Sequence, residues 1–311
     1  MTIASNRALH NMAEQNVLVS LVMPALFLVI ICEPAFSQTR SIPDPIHPVD
    51  SVQARNVGGL GFPTANASEA SAGPDDLSDP KQPETRSLVR RGITRILGDQ
   101  RELYRAPFQR SNFKWDAIVL AGTGALLATD RRIERHLPGG NVDIYGNFSN
   151  VALGGTAAAL ALAWGYGIKT HNDHIKEMGS LEVEALVNTF LIYTPMQFVA
   201  GRQRPGEGNN YGYFWRHHNV NTSFPAGHPM FTIAMATVVA HEYPKPCVEA
   251  LSYGAAAAVM AGRFLGRDHW ASDVFVGSAL GYFIGSHIFH SHCNPKFSEA
   301  CHPHSKDAHQ R

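Results

Sequence analysis

An excess of charge of either sign is missing from this sequence. Its 26 lysines and arginines balance 26 aspartates and glutamates, so the formal net charge is zero with histidine neutral. That balance gives no basic field for nucleic acid and no acidic tail for a basic partner. Charge is also scarce overall, at 17% of residues against 44% apolar, which is too apolar for disorder and suits a large helical core. Cysteine is sparse as well. Cys32, Cys247, Cys293 and Cys301 include no Cys-x-x-Cys pair. Outside the N-terminal leader described next, one disulfide with one free thiol is compatible with the three remaining cysteines, and their pairing stays open. No repeat period divides the 311 residues, which give room for one large domain or two small ones.

The N-terminus has a pattern of its own. Arg7 and His10 precede an apolar run from Val17 to Cys32, followed by Glu33-Pro-Ala-Phe-Ser37-Gln38. Residues 1–37 read as a secretory signal peptide with cleavage after Ser37, an uncleaved anchor being the competing reading. The expected location is therefore the periplasm or the outer face of the cytoplasmic membrane. Residues 38–85 are rich in Pro, Ser, Ala, Gly and Asp and read as a flexible linker. Residues 86–110 set Leu88, Val89, Ile93, Ile96 and Leu97 among arginines, an amphipathic helical pattern.

Apolar blocks follow at about 115–129, 149–168, 181–200, 227–242, 248–263 and 271–289, with lengths that suit helices. Breakers separate them, among them Pro138-Gly-Gly140, Pro205-Gly206, Pro244 and Pro246. The expected fold is an all-α bundle of about six core helices over residues 111–290. A membrane span needs about 20 apolar residues. The second and sixth blocks approach that length, but the third carries Glu182, Glu184, Asn188 and Gln197. A soluble or membrane-apposed domain is expected, with a multispan protein as the alternative. His290, His292, Cys293, Cys301, His302 and His304 crowd the C-terminus. Their spacing fits no zinc template, and residues 291–311 read as a polar tail.

Three segments carry chemistry, each at a helix end. Gln197-Phe-Val-Ala-Gly-Arg202-Gln-Arg204-Pro205 closes the third block, Ser223-Phe-Pro-Ala226-Gly227-His228 opens the fourth, and Gly262-Arg263 through His269 to Asp273 joins the fifth to the sixth. If neighbouring helices run antiparallel, all three meet at one end of the bundle. Arg204 and Arg263 offer planar forks for phosphate oxygens. The N–H groups of Gly227 and His228 open a helix and favour an anion. His269 is the candidate nucleophile. Asp273, four residues on, is placed to accept its second ring N–H, and His228 to act as general acid and base. The arginines and backbone dipoles neutralise charge without a metal.

The segments resemble the signature of the type-2 phosphatidic acid phosphatase and vanadium haloperoxidase superfamily, which is similar to Lys-x6-Arg-Pro, Pro-Ser-Gly-His and Ser-Arg-x5-His-x3-Asp. The run from His269 to Gly277 also resembles bacterial exported members. The resemblance implies a helical bundle, a phosphohistidine at His269, acid catalysis by His228, orientation of His269 by Asp273, and phosphate binding by Arg204, Arg263, Gly227 and the residue at Gln197. Three positions depart from the pattern: Gln197 for Lys, Ala226 for Ser and Gly262 for Ser. Gln197 is expected to touch phosphate through its amide, at a loss of about 1.5–3 kcal/mol for the missing charge. Arg202 is a candidate to compensate.

The implied function is hydrolysis of a lipid phosphate, an isoprenoid diphosphate or a small phosphomonoester, with no cofactor. Two alternatives are a vanadate-dependent haloperoxidase and a non-catalytic phosphate- or lipid-binding envelope protein. The 206–222 loop, with Tyr211, Tyr213, Phe214 and Trp215, is expected to form much of the pocket wall.

Overall fold

A computed structural model of the protein describes residues 83–138 and 142–301. The expected leader, nearly all of the expected linker and the end of the expected tail lie outside the described residues. Within them the fold is all-α: seven α-helices, a short 3-10 turn and no strand. The helices are α1 (Pro83–Arg105), α2 (Phe113–Arg135), α3 (Val142–Thr170), α4 (Asp173–Ala200), α5 (Gly227–Glu242), α6 (Pro246–Leu265) and α7 (Ala271–His292).

Each apolar block lies within a helix, and the helices run past the blocks wherever polar residues continue the turn. α4 starts well before residue 181 because the Asn172 side chain caps it by accepting from the Ile175 N–H. It ends at Gly201, whose φ of 52° is left-handed and whose N–H bonds back to Gln197 O. A Cβ there would come within 2.1 Å of His217 O. Only glycine permits this turn, which redirects the chain so that residues 202–204 run toward the start of α5.

The core is built around α5, which packs on α7, α6 and α4. Leu181, Ala185 and Ile192 of α4, Met230 and Val238 of α5, and Ile284, Ile288 and Phe289 of α7 form the main apolar cluster. Cys301 joins that cluster through its disulfide with Cys293. Among the described residues no cysteine is free. Residues 293–301, read as part of a polar tail, are fastened further by Ser298 Oγ donating to His241 O.

α2 and α3 reverse the usual pattern. The buried residues of α2 are Asp130 and Glu134, and those of α3 are Ser149 and Gly167. Leu120 and Leu162, by contrast, are 70% and 75% exposed. Among the described residues α3 is the one helix long and apolar enough to cross a membrane by length and composition. An apolar helix that turns small and polar residues inward leaves its hydrophobic surface for something other than this core to cover.

Candidate active site

The three chemical segments meet at one end of the bundle, as helix antiparallelism requires. Tyr193, Arg204, Asn221, Gly227, His228, Arg263 and His269 line a cavity of about 280 Å³. Of the sequence candidates, the two histidines, the two arginines and Gly227 share this cavity, whereas Gln197 and Asp273 do not line it.

His269 sits just before α7. Its Nδ1 lies 2.7 Å from the main-chain oxygen of Ser223. A carbonyl only accepts, so Nδ1 carries the proton and Nε2 keeps the lone pair. Burial, aided by the charges of Arg204 and Arg263, holds the ring's proton affinity well below its ordinary value. His269 is therefore a neutral imidazole at pH 7, as a nucleophile must be.

Asp273 does not orient this ring. It lies in the first turn of α7, where Oδ2 accepts from the Trp270 N–H at 2.9 Å and from Ser223 Oγ at 2.5 Å. Oδ1 pairs with Arg202. The expected His-x3-Asp contact fails because His269 precedes the helix: Trp270 is extended, so the two residues are not separated by a helical turn. Asp273 instead acts on Ser223, whose carbonyl holds His269. Burial pushes its carboxyl up to about 7, against the opposing effects of Arg202, Ser223 and Trp270.

Arg202 does not compensate at the phosphate position. It is buried beneath the site, donating to Asp130 at 2.8 Å, to Ser272 at 2.7 Å and to Gly212 O at 3.2 Å, besides Asp273. Phe214 and Trp270 lie against its guanidinium, at 4.9 and 5.3 Å. This ion-paired knot locks α2, the 202–212 segment and α7 together.

Gln197 likewise makes no contact with phosphate. It is fully buried, and both amide atoms are used. Nε2 donates to Pro225 O at 2.7 Å, and Oε1 accepts from the Thr222 N–H and hydroxyl at 2.5 and 2.8 Å. A neutral amide satisfies a main-chain donor and a main-chain acceptor at once, which an ammonium cannot. Gln197 thus braces the loop that carries Ser223 and leads into α5.

The arginine clamp is set by a residue the sequence reading did not select. Asp268 takes Arg263 Nη1 on Oδ2 at 2.6 Å, while its carbonyl takes Arg204 Nη1 at 3.0 Å. Asn221 Oδ1 accepts from Arg204 Nη2 at 2.8 Å. The Nε–H of Arg263 is buried without a hydrogen-bond partner.

His228 faces Asn150 Oδ1 through Nε2 at 2.9 Å, and Arg263 Nη2 lies against its ring nitrogens. Burial first, then the Arg263 charge, hold it down to about 4. α5 begins without a side-chain cap, because Ala226 stands at the N-cap. Its first-turn N–H groups are therefore not claimed by a capping hydroxyl. Gly262 has a packing role: a Cβ would lie 2.9 Å from both Ser149 Cβ and Tyr145 O, so glycine lets α6 close on α3.

Tyr193, Asn150, Asn221 and Asp268 were missed in the sequence. Asn150 had a visible signal as a polar residue at the head of an apolar block, and Tyr193 stands one turn before Gln197. Asn221 and Asp268 gave none, because their placement depends on chain reversal. Phe214 packs inward against Arg202 and Phe224, while Tyr211, Tyr213 and Trp215 are exposed and do not line the cavity.

Residues 182–296 match the model of the PAP2 superfamily, from within α4 to just past α7. No curated protein and no solved structure matches the chain. The family match points to phosphatase-type activity on a phosphorylated substrate, and it spans both histidines and both arginines of the cavity.

Proposed function

We propose that the protein is a phosphatase that hydrolyses phosphate monoesters through a phosphohistidine intermediate at His269, working outside the cytoplasm. The observation that carries this reading is the Nδ1 contact of His269 with Ser223 O, which leaves the Nε2 lone pair for attack. Arg204, Arg263 and the N-terminal N–H groups of α5 hold the non-bridging phosphate oxygens. Nε2 attacks phosphorus and the ester P–O bond breaks. The leaving alkoxide takes a proton from His228, whose imidazolium form is favoured once the phosphate dianion offsets Arg263. His228 then takes a proton from water, the water oxygen attacks phosphorus, and the P–N bond breaks to release phosphate.

The departures at Gln197 and Ala226 were the motive for a non-catalytic reading. Gln197 spends its amide on the loop instead, so its part of that motive falls away. A second observation favours a lipid phosphate as substrate: the exposed apolar surface of α2 and α3, with Asn150 of α3 also bonded to His228 and Arg263 of the cavity. Phosphate release from a lysolipid phosphate, an isoprenoid diphosphate and a small soluble monoester, each with wild type and His269→Ala, tests both statements. Equal release by wild type and variant overturns the histidine nucleophile. A preference for the soluble ester overturns the lipid reading.

A further inference from the structure

At the far end of α7 from the cavity, side chains of three helices converge. Asp99 of α1, Glu184 of α4 and His292 of α7 each offer a donor atom, all within 4.8 Å of one another. His292 Nε2 is 2.8 Å from Asp99 Oδ1 and 3.6 Å from Glu184 Oε1. His287 Nε2 lies 3.5 Å from the same Asp99 oxygen and is closed off from solvent. The other carboxylate oxygens are engaged outward. Asp99 Oδ2 accepts from Asn188 at 3.4 Å, and Glu184 Oε2 pairs with Arg95 at 2.9 Å. Gln100 in turn donates to Asn188 Oδ1 at 2.7 Å. Each carboxylate is thus fixed through one oxygen and turns the other inward, the usual outer support of a metal ligand.

We infer that Asp99, Glu184 and His292 form a structural site for a divalent transition-metal ion, with zinc the best fit and His287 standing beside it against Asp99. One imidazole nitrogen and two carboxylate oxygens, with water as a fourth ligand, are a donor set that suits zinc. Four ligands at about 2.0–2.1 Å in a tetrahedron stand about 3.3–3.4 Å apart. The separations of 2.8 and 3.6 Å from His292 to the two carboxylates bracket that value, and all three donor atoms lie within 4.8 Å of one another.

The site also answers a packing problem. α1 holds Ile93 and Leu97 at 53% and 64% exposure, while its Asp99 is only 4% exposed. Leu103 is the α1 residue that packs on the main apolar cluster, and a metal ion would staple the helix further to α4 and α7. The 22 residues of α7 span about 33 Å, so the ion stands too far from His269 to share in its chemistry.

Zinc binding to the metal-stripped full-length protein, measured against a chromophoric chelator, tests the site. One equivalent is expected on wild type, on His269→Ala and on the triple variant H302A/H304A/H309A, with at least tenfold weaker binding to Asp99→Asn and His292→Ala. No zinc on wild type, equal affinity in D99N and H292A, or loss in the triple variant would each overturn the proposal. Cobalt on the unaltered chain gives a readout that no folding defect can confuse. Intense visible bands of a tetrahedral ion support the site, and the faint bands of an octahedral one contradict it.

Discussion

His269 Nδ1 lies 2.7 Å from the main-chain oxygen of Ser223, and the Ser223 hydroxyl lies 2.5 Å from Asp273 Oδ2. The nucleophile is therefore oriented by a peptide carbonyl, and the carboxylate acts at one remove, by fixing the residue that supplies that carbonyl. Replacing Asp273 tests the order of this chain. Asp273→Ala strips the buried Arg202 of a partner, a loss of about 3–5 kcal/mol. Ser223→Ala keeps the carbonyl and loses one hydrogen bond, about 1 kcal/mol. Thermal melting is expected to show a large drop for the first and a small one for the second. Phosphate release by S223A should stay within about tenfold of wild type, since the Nδ1 acceptor is retained.

Restoring the family's lysine at residue 197 should harm the protein. Gln197→Lys places an ammonium among the Thr222 and Pro225 main-chain groups, where it can donate but not accept, and the Thr222 N–H loses its acceptor. The expected cost is about 3 kcal/mol. In a domain of this size that lowers the melting temperature by roughly 6–12 °C. A rise in the rate of phosphate release without loss of stability would show that residue 197 faces the phosphate after all.

Gly262→Ser restores a second family residue and should fail for a different reason. Its Cβ would press on Ser149 and Tyr145 at 2.9 Å, moving α6 away from α3 and Arg263 with it. KM for a phosphate ester should rise together with a fall in melting temperature. An unchanged KM would mean that the α3–α6 contact does not set the arginine.

The depressed proton affinity of His228 makes a prediction about stability. Its folded value of about 4 lies below its ordinary 6.5, so between these the unfolded chain binds more protons than the folded one. Stability associated with the neutral ring is present above pH 6.5 and is lost as pH falls toward 4. Melting followed from pH 7 to pH 5 should show a larger loss for wild type than for His228→Asn, in which the other titrating groups are the same. Parallel curves would contradict the burial and charge effects assigned to His228.

Much of this was legible in the sequence. The six apolar blocks all lie within helices, and spacing at helix ends brought His228, His269, Arg204 and Arg263 together correctly. The misplaced residues share a cause. Gln197 was assigned from the family signature, and Arg202 and Asp273 by distance along the chain, but the side chains of all three are spent on main-chain groups and buried ion pairs. Those partners, such as Pro225 O, Thr222 N and Asp130, come from the path of the loop between α4 and α5 and from the packing of α2 on α7. A motif gives the residue types at a site; which of them face the ligand is decided by the loops between them.

The central claim is a covalent bond between phosphorus and His269 Nε2. Its most direct test is rapid quenching of the protein with a labelled phosphate ester, followed by peptide mapping under alkaline conditions. The account predicts an acid-labile, alkali-stable label on the peptide containing His269, absent from His269→Ala and accumulating in His228→Ala with an aryl ester, whose leaving group departs without a proton while water attack is slowed. Phosphate release by wild type with no trapped label under any of these conditions, or a label that persists in His269→Ala, would contradict it.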